Sequence, residues 1–143
     1  MQNHLFTYGS LMCCDIFERV AACSPYSTDA FLKDYQRKSI QDASFPGITF
    51  QTGSAVKGVL YFSLDNESIA RLDLFEGDLY VRETVQVKTV DGQPFQAQTY
   101  VIRPEYTNRL SEKLWNFSEF LQNRHSFIRA CFKESEGQNS PEP

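Results

Sequence analysis

The feature that most constrains the fold of this chain is a pair of strand-like segments joined by an Asp-Gly turn. Side chains alternate along residues 80–90, and residues 95–102 form a second β-prone segment that ends before Pro104. Asp91-Gly92 lies between the two segments and is typical of a tight hairpin turn. The chain therefore has to build a β-sheet that includes this hairpin.

Three further segments are predicted to be strands, and three are predicted to be helices. The strands are residues 5–8, 31–40 and 56–64, and the helices are residues 12–22, residues 66–77 and a final segment from Ser111 onward. The last helix is predicted from apolar residues at spacings typical of one helix face, namely Leu110, Leu114, Phe117 and Leu121. We also expect Ser10 to cap the first helix and Phe45-Pro46-Gly47 to form a turn.

The length and composition favour one domain with a strand-rich core. The chain has 143 residues, 41% of them hydrophobic, including 12 Phe, 7 Tyr and 1 Trp. We predict an α+β fold, a small mixed sheet or partly closed β-barrel of about five to six strands with two to three flanking helices. The domain is predicted to span residues 1–133. Residues 134–143 contain no apolar side chain and are predicted to form a disordered tail.

The charge balance excludes some classes of partner. The formal net charge is −4, from 14 Lys and Arg against 18 Asp and Glu. Without a basic surplus, neither nucleic acid nor an anionic membrane is expected as a partner. No apolar run approaches the ~20 residues of a transmembrane helix, and the first residues lack the pattern of a signal peptide. We expect a soluble cytoplasmic protein, a monomer or weak homodimer, that binds a small molecule.

The cysteines show no pattern of a metal site or a disulfide framework. No C-x-x-C occurs among them, and the two histidines lie far from them in sequence. Motifs for phosphate loops, zinc proteases and serine hydrolases are also absent from the sequence. We interpret the cysteines as free thiols, leave oxidation of Cys13 and Cys14 open, and expect neither a metal nor an organic cofactor.

Glu76 is the first candidate for chemistry. Ile69, Leu72 and Glu76 lie on one face of the predicted helix, the face that should dock on the core. Burial and the negative end of the helix dipole both disfavour a charged carboxylate, so we expect its pKa to lie above the usual value of about 4.3. Such a carboxyl suits a general base near neutral pH. Two alternatives remain open: a local cap or salt bridge at Glu76, and pairing with Arg82 that would lower this pKa.

The second candidate is the turn that follows the first predicted strand. Where a strand ends in Gly9-Ser10 and turns into a helix, successive backbone N–H groups become available to bind an anion such as a carboxylate. By itself the pattern also fits an ordinary strand–helix turn.

Several segments, in the same order, resemble the γ-glutamylcyclotransferase-like superfamily, in particular its avirulence-induced-gene-like branch. Tyr8-Gly9-Ser10-Leu11 resembles the Y-G-[ST]-L signature of that superfamily. The block from Leu72 to Arg82 resembles its L-D-x-[FY]-E-G-x-x-Y-x-R motif, which bears the catalytic Glu. Three shorter matches are Phe45-Pro46-Gly47, Val56-Lys57-Gly58-Val59-Leu60-Tyr61 and Ala97-Gln98-Thr99-Tyr100-Val101.

The resemblance implies a small β-barrel whose cavity cyclises a γ-glutamyl compound to 5-oxoproline and releases an amine or amino acid, with no cofactor. Glu76 would be the acid and base, and Tyr8, Gly9, Ser10 and Leu11 would bind the substrate. Tyr80 is expected to line the cavity. For Arg82 we favour a surface ion pair over a role at the substrate, and for Tyr35 and Tyr100 we favour core packing over a supporting role in the cavity.

Two other function classes remain open. The first is a binding module on the same fold that holds a small metabolite without turning it over. The second is a protein-interaction adaptor that uses the C-terminal aromatic residues, namely Trp115, Phe117, Phe120 and Phe127. The adaptor would show a large exposed apolar patch and no cavity near Gly9.

Overall fold

The computed structural model describes residues 3–132 and contains, in that part of the chain, six strands that form a mixed sheet. The strands are β1 (Asn3–Thr7), β2 (Ser27–Ile40), β3 (Pro46–Leu64), β4 (Tyr80–Thr89), β5 (Pro94–Ile102) and β6 (Leu110–Leu114). Their order is β3-β1-β5-β4-β2-β6, and β3 also pairs with β2. This additional pairing closes the first five strands into a barrel, while β6 extends the sheet beyond β2. Since β1 and β5 are parallel and the other pairs antiparallel, the barrel is mixed, as predicted.

Helices flank the barrel. Within the described residues the α-helices are α1 (Cys14–Ala21), α2 (Asn66–Glu76), α3 (Phe117–Gln122) and α4 (Arg124–Cys131), and short 3₁₀ helices cover Ser10–Met12, Gly77–Leu79 and Pro104–Arg109. The predicted hairpin is confirmed: β4 pairs with β5 along its length, and Gly92 adopts a φ of 89° in the turn. This left-handed conformation suits glycine because it has no Cβ.

Buried apolar side chains form two clusters that share the strands. One consists almost entirely of strand residues, including Phe6, Leu32 and Leu60. The other, called the helix-side cluster below, joins strand residues such as Leu5 to the helices. Leu5 and Phe6 are consecutive and point to opposite faces of β1, so the strand contributes to both clusters. The helices are thereby fixed on a barrel that has its own apolar interior.

The prediction of a final amphipathic helix from Ser111 onward is wrong at its start and in its continuity, because the helical part begins at Phe117 and consists of two helices. Leu110–Leu114 is strand β6, in which Leu110 pairs with Ile40 and Leu114 with Lys38 of β2. The apolar spacing fits a helix, but a free position beside β2 allows strand pairing instead. Asn116 caps α3 by accepting a hydrogen bond from the Glu119 amide, and a break at Asn123 separates α3 from α4. The described part of the chain thus has four α-helices where two to three were predicted.

Two smaller predictions are also corrected. Pro46 and Gly47 do not form a turn but begin β3, where they pair with Ser39 and Lys38 of β2. Proline is tolerated at the first residue of a strand. Ser10 does not cap α1, because it is the first residue of a 3₁₀ helix and its side chain makes no capping hydrogen bond.

None of the helices in residues 3–132 is both long and apolar enough to cross a membrane. The tail predicted for residues 134–143 lies outside the described residues, so the tail and the domain bounds of 1–133 stay predictions.

Candidate active site

A cavity of about 120 Å³ lies where the end of β1, the C-terminal end of α2 and helix α4 meet. Residues 8–11 follow β1 and form one wall of the cavity. They are called the 8–11 loop below. The lining is mostly apolar and aromatic, and its members are residues 6–11 together with Phe45, Pro46, Phe75, Glu76, Tyr80, Tyr100, Phe127 and Cys131. The structure therefore brings Glu76, the 8–11 loop, Tyr80 and Tyr100 into one site.

Glu76 is the last residue of α2, and it lines the cavity. Ile69 and Leu72 are buried on the face that the sequence indicated. Burial, and secondarily the negative charge of Asp73, raise the pKa of Glu76 to about 8. The residue as a whole is only partly buried, which agrees with a side chain that faces a cavity. Within residues 3–132 it has no hydrogen-bond or ion-pair partner, so its carboxyl group is available to exchange a proton near neutral pH.

Arg82 pairs with Asp73 and not with Glu76. Its Nε lies 3.0 Å from Asp73 Oδ1 and its Nη2 lies 3.1 Å from Asp73 Oδ2, a bidentate arrangement. Tyr100 donates its hydroxyl to the same Asp73 Oδ1 at 2.6 Å. Burial acts to raise the pKa of Asp73, but the hydrogen bonds from Arg82 and Tyr100 outweigh it and hold the pKa below its usual value. The arginine that was considered as a counter-ion for Glu76 is thus occupied by another carboxylate.

Three tyrosines form much of the polar wall of the cavity, and each donates its hydroxyl to a protein acceptor. Tyr8 donates to the backbone carbonyl of Tyr100, and Tyr80 donates to the carbonyl of Pro46 at 2.6 Å. Tyr100 donates to Asp73. Burial is the main cause that raises the phenol pKa values of all three, with added repulsion from nearby acidic groups. The rings are therefore neutral and held in place, which gives the cavity a rigid wall.

The carbonyl groups of the 8–11 loop are held by hydrogen bonds from other groups. Their donors are Arg37 Nη1 to the Tyr8 carbonyl at 2.8 Å, the Met12 amide to the Gly9 carbonyl at 2.9 Å and the Cys13 amide to the Ser10 carbonyl at 3.1 Å. All peptide bonds in residues 3–132 are trans. In a trans peptide the N–H group points away from the carbonyl of the same unit.

The amides that follow these carbonyls have no partner in the part of the chain that the structure describes. The N–H groups of Gly9, Ser10 and Leu11 donate no hydrogen bond within residues 3–132. They belong to the same peptide units whose carbonyls are held, so they are directed to the opposite side of each unit. Three consecutive unpaired N–H groups in the lining of a cavity are suited to bind a carboxylate.

Gly9 is required by the close approach of Pro46. A Cβ atom at Gly9 would lie 2.9 Å from Pro46 Cδ and 3.0 Å from its Cγ. Pro46 is itself held, because its carbonyl accepts the hydrogen bond from Tyr80. The glycine thus lets the 8–11 loop pack against the start of β3 and keeps the cavity wall closed.

Not every residue considered from the sequence reaches the cavity. Tyr35 is outside the lining and packs its ring against Phe50, with the ring centroids 5.8 Å apart. Sequence reasoning did not place Phe127 and Cys131 in the cavity, or Arg37 beside the 8–11 loop. Arg37 carries no local signal, since its contact with Tyr8 joins residues that are 29 positions apart in the chain. Phe127 and Cys131 reach the cavity only because the C-terminal segment breaks into two helices.

The C-terminal aromatic residues do not form the exposed stripe that an adaptor would need. Trp115, Phe120 and Phe127 are buried in the helix-side cluster, and Phe117 packs against it. A cavity is present at Gly9. Both observations contradict what the adaptor hypothesis requires.

The sequence and the fold are similar to those of one family. Residues 5–117 match the family model for gamma-glutamyl cyclotransferase, AIG2-like. AIG2-like protein D of Arabidopsis thaliana is 30% identical to this chain over 142 residues, which cover 97% of this chain and 93% of that protein.

Solved structures show the same fold. A solution structure of an Arabidopsis thaliana protein, 24% identical, matches with a TM-score of 0.70 over 96% of this chain and 93% of the other. A solved gamma-glutamyl cyclotransferase, 20% identical, matches with a TM-score of 0.64 over 74% of each chain. At these identities the likeness establishes the fold alone. Together with the family match across most of the chain, it shows that this protein belongs to the gamma-glutamyl cyclotransferase, AIG2-like family.

Proposed function

We propose that this protein is a γ-glutamylcyclotransferase that converts a γ-glutamyl amine or γ-glutamyl amino acid into 5-oxoproline and the free amine. The observation that carries the proposal is that Glu76 and the 8–11 loop line one cavity, and that within residues 3–132 neither the Glu76 carboxyl nor the amides of Gly9, Ser10 and Leu11 have a hydrogen-bond partner. The first group suits proton transfer, and the amides suit a carboxylate. A γ-glutamyl compound needs both, because its α-amine must lose a proton and its α-carboxylate must be held.

In the proposed reaction Glu76 moves one proton between two nitrogens. The unprotonated α-amine attacks the γ-carbonyl carbon and forms the new C–N bond of the five-membered ring. Glu76 accepts the proton that the attacking nitrogen loses. As the original amide C–N bond breaks, the same carboxyl group returns a proton to the leaving nitrogen. The products are 5-oxoproline and the amine, no water is consumed, and Glu76 ends in its starting state.

The 8–11 loop would give the reaction its geometry. When the amides of Gly9, Ser10 and Leu11 hold the α-carboxylate, the substrate is bent so that its amine lies beside its own γ-carbonyl. Enforced intramolecular geometry of this kind lowers a barrier by roughly 7–11 kcal/mol at best. The lining is mostly apolar and aromatic, and surroundings of this kind strengthen polar interactions at the reacting atoms.

The test is an assay of the purified protein for 5-oxoproline release from a panel of γ-glutamyl amines and amino acids. Glu76→Gln should lower kcat/KM by at least ~10²-fold, as expected for loss of a general acid and base. Glu67→Gln is the matched control, because Glu67 is an exposed glutamate of the same helix. Full activity of Glu76→Gln would remove Glu76 from the mechanism.

Absence of product from every member of the panel would favour the binding module. In that case a γ-glutamyl ligand should still bind to the wild-type protein. The two functions therefore differ in turnover and not in binding, and the same panel separates them.

A further inference from the structure

Arg37 lies on β2 and is held on two sides. Its guanidinium donates to the Tyr8 carbonyl at 2.8 Å and makes a longer contact with the Lys57 carbonyl at 3.4 Å. It also stacks over the ring of Trp115, 5.1 Å from the ring centroid. Trp115 is fixed in turn by a hydrogen bond of 3.0 Å from its Nε1 to the carbonyl of Ser44. The cation is thus held against the 8–11 loop and has little freedom to turn away.

No carboxylate balances this charge within residues 3–132. Its hydrogen-bond acceptors there are backbone carbonyls, and its ring contact is with an uncharged side chain. Burial lowers the pKa of Arg37, as expected for a cation that is partly removed from water. A partly buried cation without an anionic partner is unfavourable unless an anion binds nearby.

The contact with Tyr8 also determines the direction of an amide. The Tyr8 carbonyl and the Gly9 N–H belong to one trans peptide unit and point in opposite directions. Since Arg37 holds the carbonyl, it directs the Gly9 N–H to the other side of that unit. A charged donor on the carbonyl also polarises the unit and makes its N–H a stronger donor.

We propose that Arg37 is a positioning residue for the substrate's α-carboxylate: it orients the Gly9 amide and supplies the positive charge that favours an anion at the 8–11 loop. The inference rests on the proposed function, since it concerns the carboxylate of a γ-glutamyl compound or of the product. It also explains how a carboxylate binds in a cavity whose described lining has no cationic side chain.

The experiment compares two ligands that differ in one group, which is charged in the first and neutral in the second. 5-Oxoproline carries the carboxylate, and 5-oxoprolinamide carries a neutral carboxamide in its place. Their Kd values are measured by NMR titration of ¹⁵N-labelled protein, with the amide signals of Gly9, Ser10 and Leu11 as reporters. Arg37→Met keeps an apolar chain against Trp115 but removes the charge. Arg37→Gln, which is polar and also neutral, serves as a second neutral variant if Arg37→Met does not fold.

A unit charge near an anion in a partly screened site changes anion affinity by roughly tenfold. We expect the neutral variants to bind 5-oxoproline about tenfold more weakly and 5-oxoprolinamide at most about threefold more weakly. Arg109→Met is the matched control, because Arg109 also stacks on a ring, that of Tyr106, and is exposed outside the cavity lining. This control should change neither Kd.

Three results would overturn the inference. If the variants bind both ligands more weakly by the same factor, Arg37 only holds the loop. If the Kd of 5-oxoproline is unchanged in the variants, or if the wild-type protein does not bind it, there is no carboxylate site that depends on Arg37. The outcome is separate from that of the turnover assay. If the protein turns over substrate but the variants keep the same ratio of Kd values for the two ligands, only the role of Arg37 is refuted. If that ratio changes but no substrate is turned over, only the proposed reaction is refuted.

Discussion

Glu76 and Asp73 lie three residues apart on α2, but their surroundings act on them in opposite directions. Asp73 is hydrogen-bonded by Arg82 and Tyr100, which favour its charged form. Glu76 lines the cavity and has no such partner within residues 3–132, so burial and the charge of Asp73 favour its neutral form. Two carboxyl groups with separated pKa values are typical of catalytic sites, where one keeps its charge and the other exchanges a proton.

Glu76 should make the fold less stable as the pH rises. Its pKa is raised from 4.5 to about 8 in the folded protein, so its contribution to stability is complete below pH 4.5 and is lost as the pH rises through about 8. Glu76→Gln should therefore gain up to roughly 3 kcal/mol of unfolding free energy over the wild type at pH 7 and little at pH 4. Urea denaturation across this range measures the difference, with Glu67→Gln as control. A gain that is independent of pH would contradict the raised pKa.

Asp73 should influence the pH dependence of catalysis through its charge. Removal of that charge in Asp73→Asn should lower the pKa of Glu76 and shift the rising limb of the kcat/KM profile to lower pH. Tyr100→Phe is the control, because it removes one hydrogen bond to Asp73 and leaves the charge. NMR titration of the Glu76 carboxyl carbon gives the same answer without turnover. A profile that stays in place in Asp73→Asn would mean that burial alone sets this pKa.

At the scale of elements, the 8–11 loop and the start of β3 are fitted to each other. Gly9→Ala should push the 8–11 loop away from Pro46. We expect this change to destabilise the protein by about 1–3 kcal/mol and to weaken the binding of 5-oxoproline. Pro46→Ala removes the ring atoms that a Cβ at Gly9 would meet, so the double variant should recover much of both losses. A double-mutant cycle of binding and unfolding measures the coupling. Purely additive effects would show that this contact does not shape the loop.

Elements set by local signals were predictable from the sequence, and those set by distant contacts were not. The Asp91-Gly92 hairpin and the inward face of α2 follow from residues close together in the chain. By contrast, Leu110–Leu114 has helical spacing but becomes a strand, because β2 offers it a free position. The contact of Arg37 with the 8–11 loop was not predictable for the same reason, since its partner Tyr8 is 29 positions away in the chain. Glu76 was predicted to point inward from its helix face, and it lines the cavity.

At the scale of the whole molecule, the fold brings together segments that are far apart in the chain. The 8–11 loop, the end of α2 and helix α4 meet at one end of the cavity, although more than a hundred residues separate the first from the last. Phe127 belongs to both the helix-side cluster and the cavity lining. The cavity is therefore complete only when the helices are docked on the barrel, which ties ligand binding to global folding.

Binding of 5-oxoproline should accordingly stabilise the molecule as one unit. This product is common to all the proposed substrates, so the test does not depend on the leaving group. At about ten times its Kd, the ligand should add ~1.4 kcal/mol, which raises Tm by about 5 °C for a domain of this size. Near- and far-UV circular dichroism should report the same transition, because the two clusters share their strands. 2-Pyrrolidone, which lacks the carboxylate, serves as control and should leave Tm unchanged at the same concentration. Two separate transitions, or equal shifts with both ligands, would contradict a carboxylate site that is coupled to the whole fold.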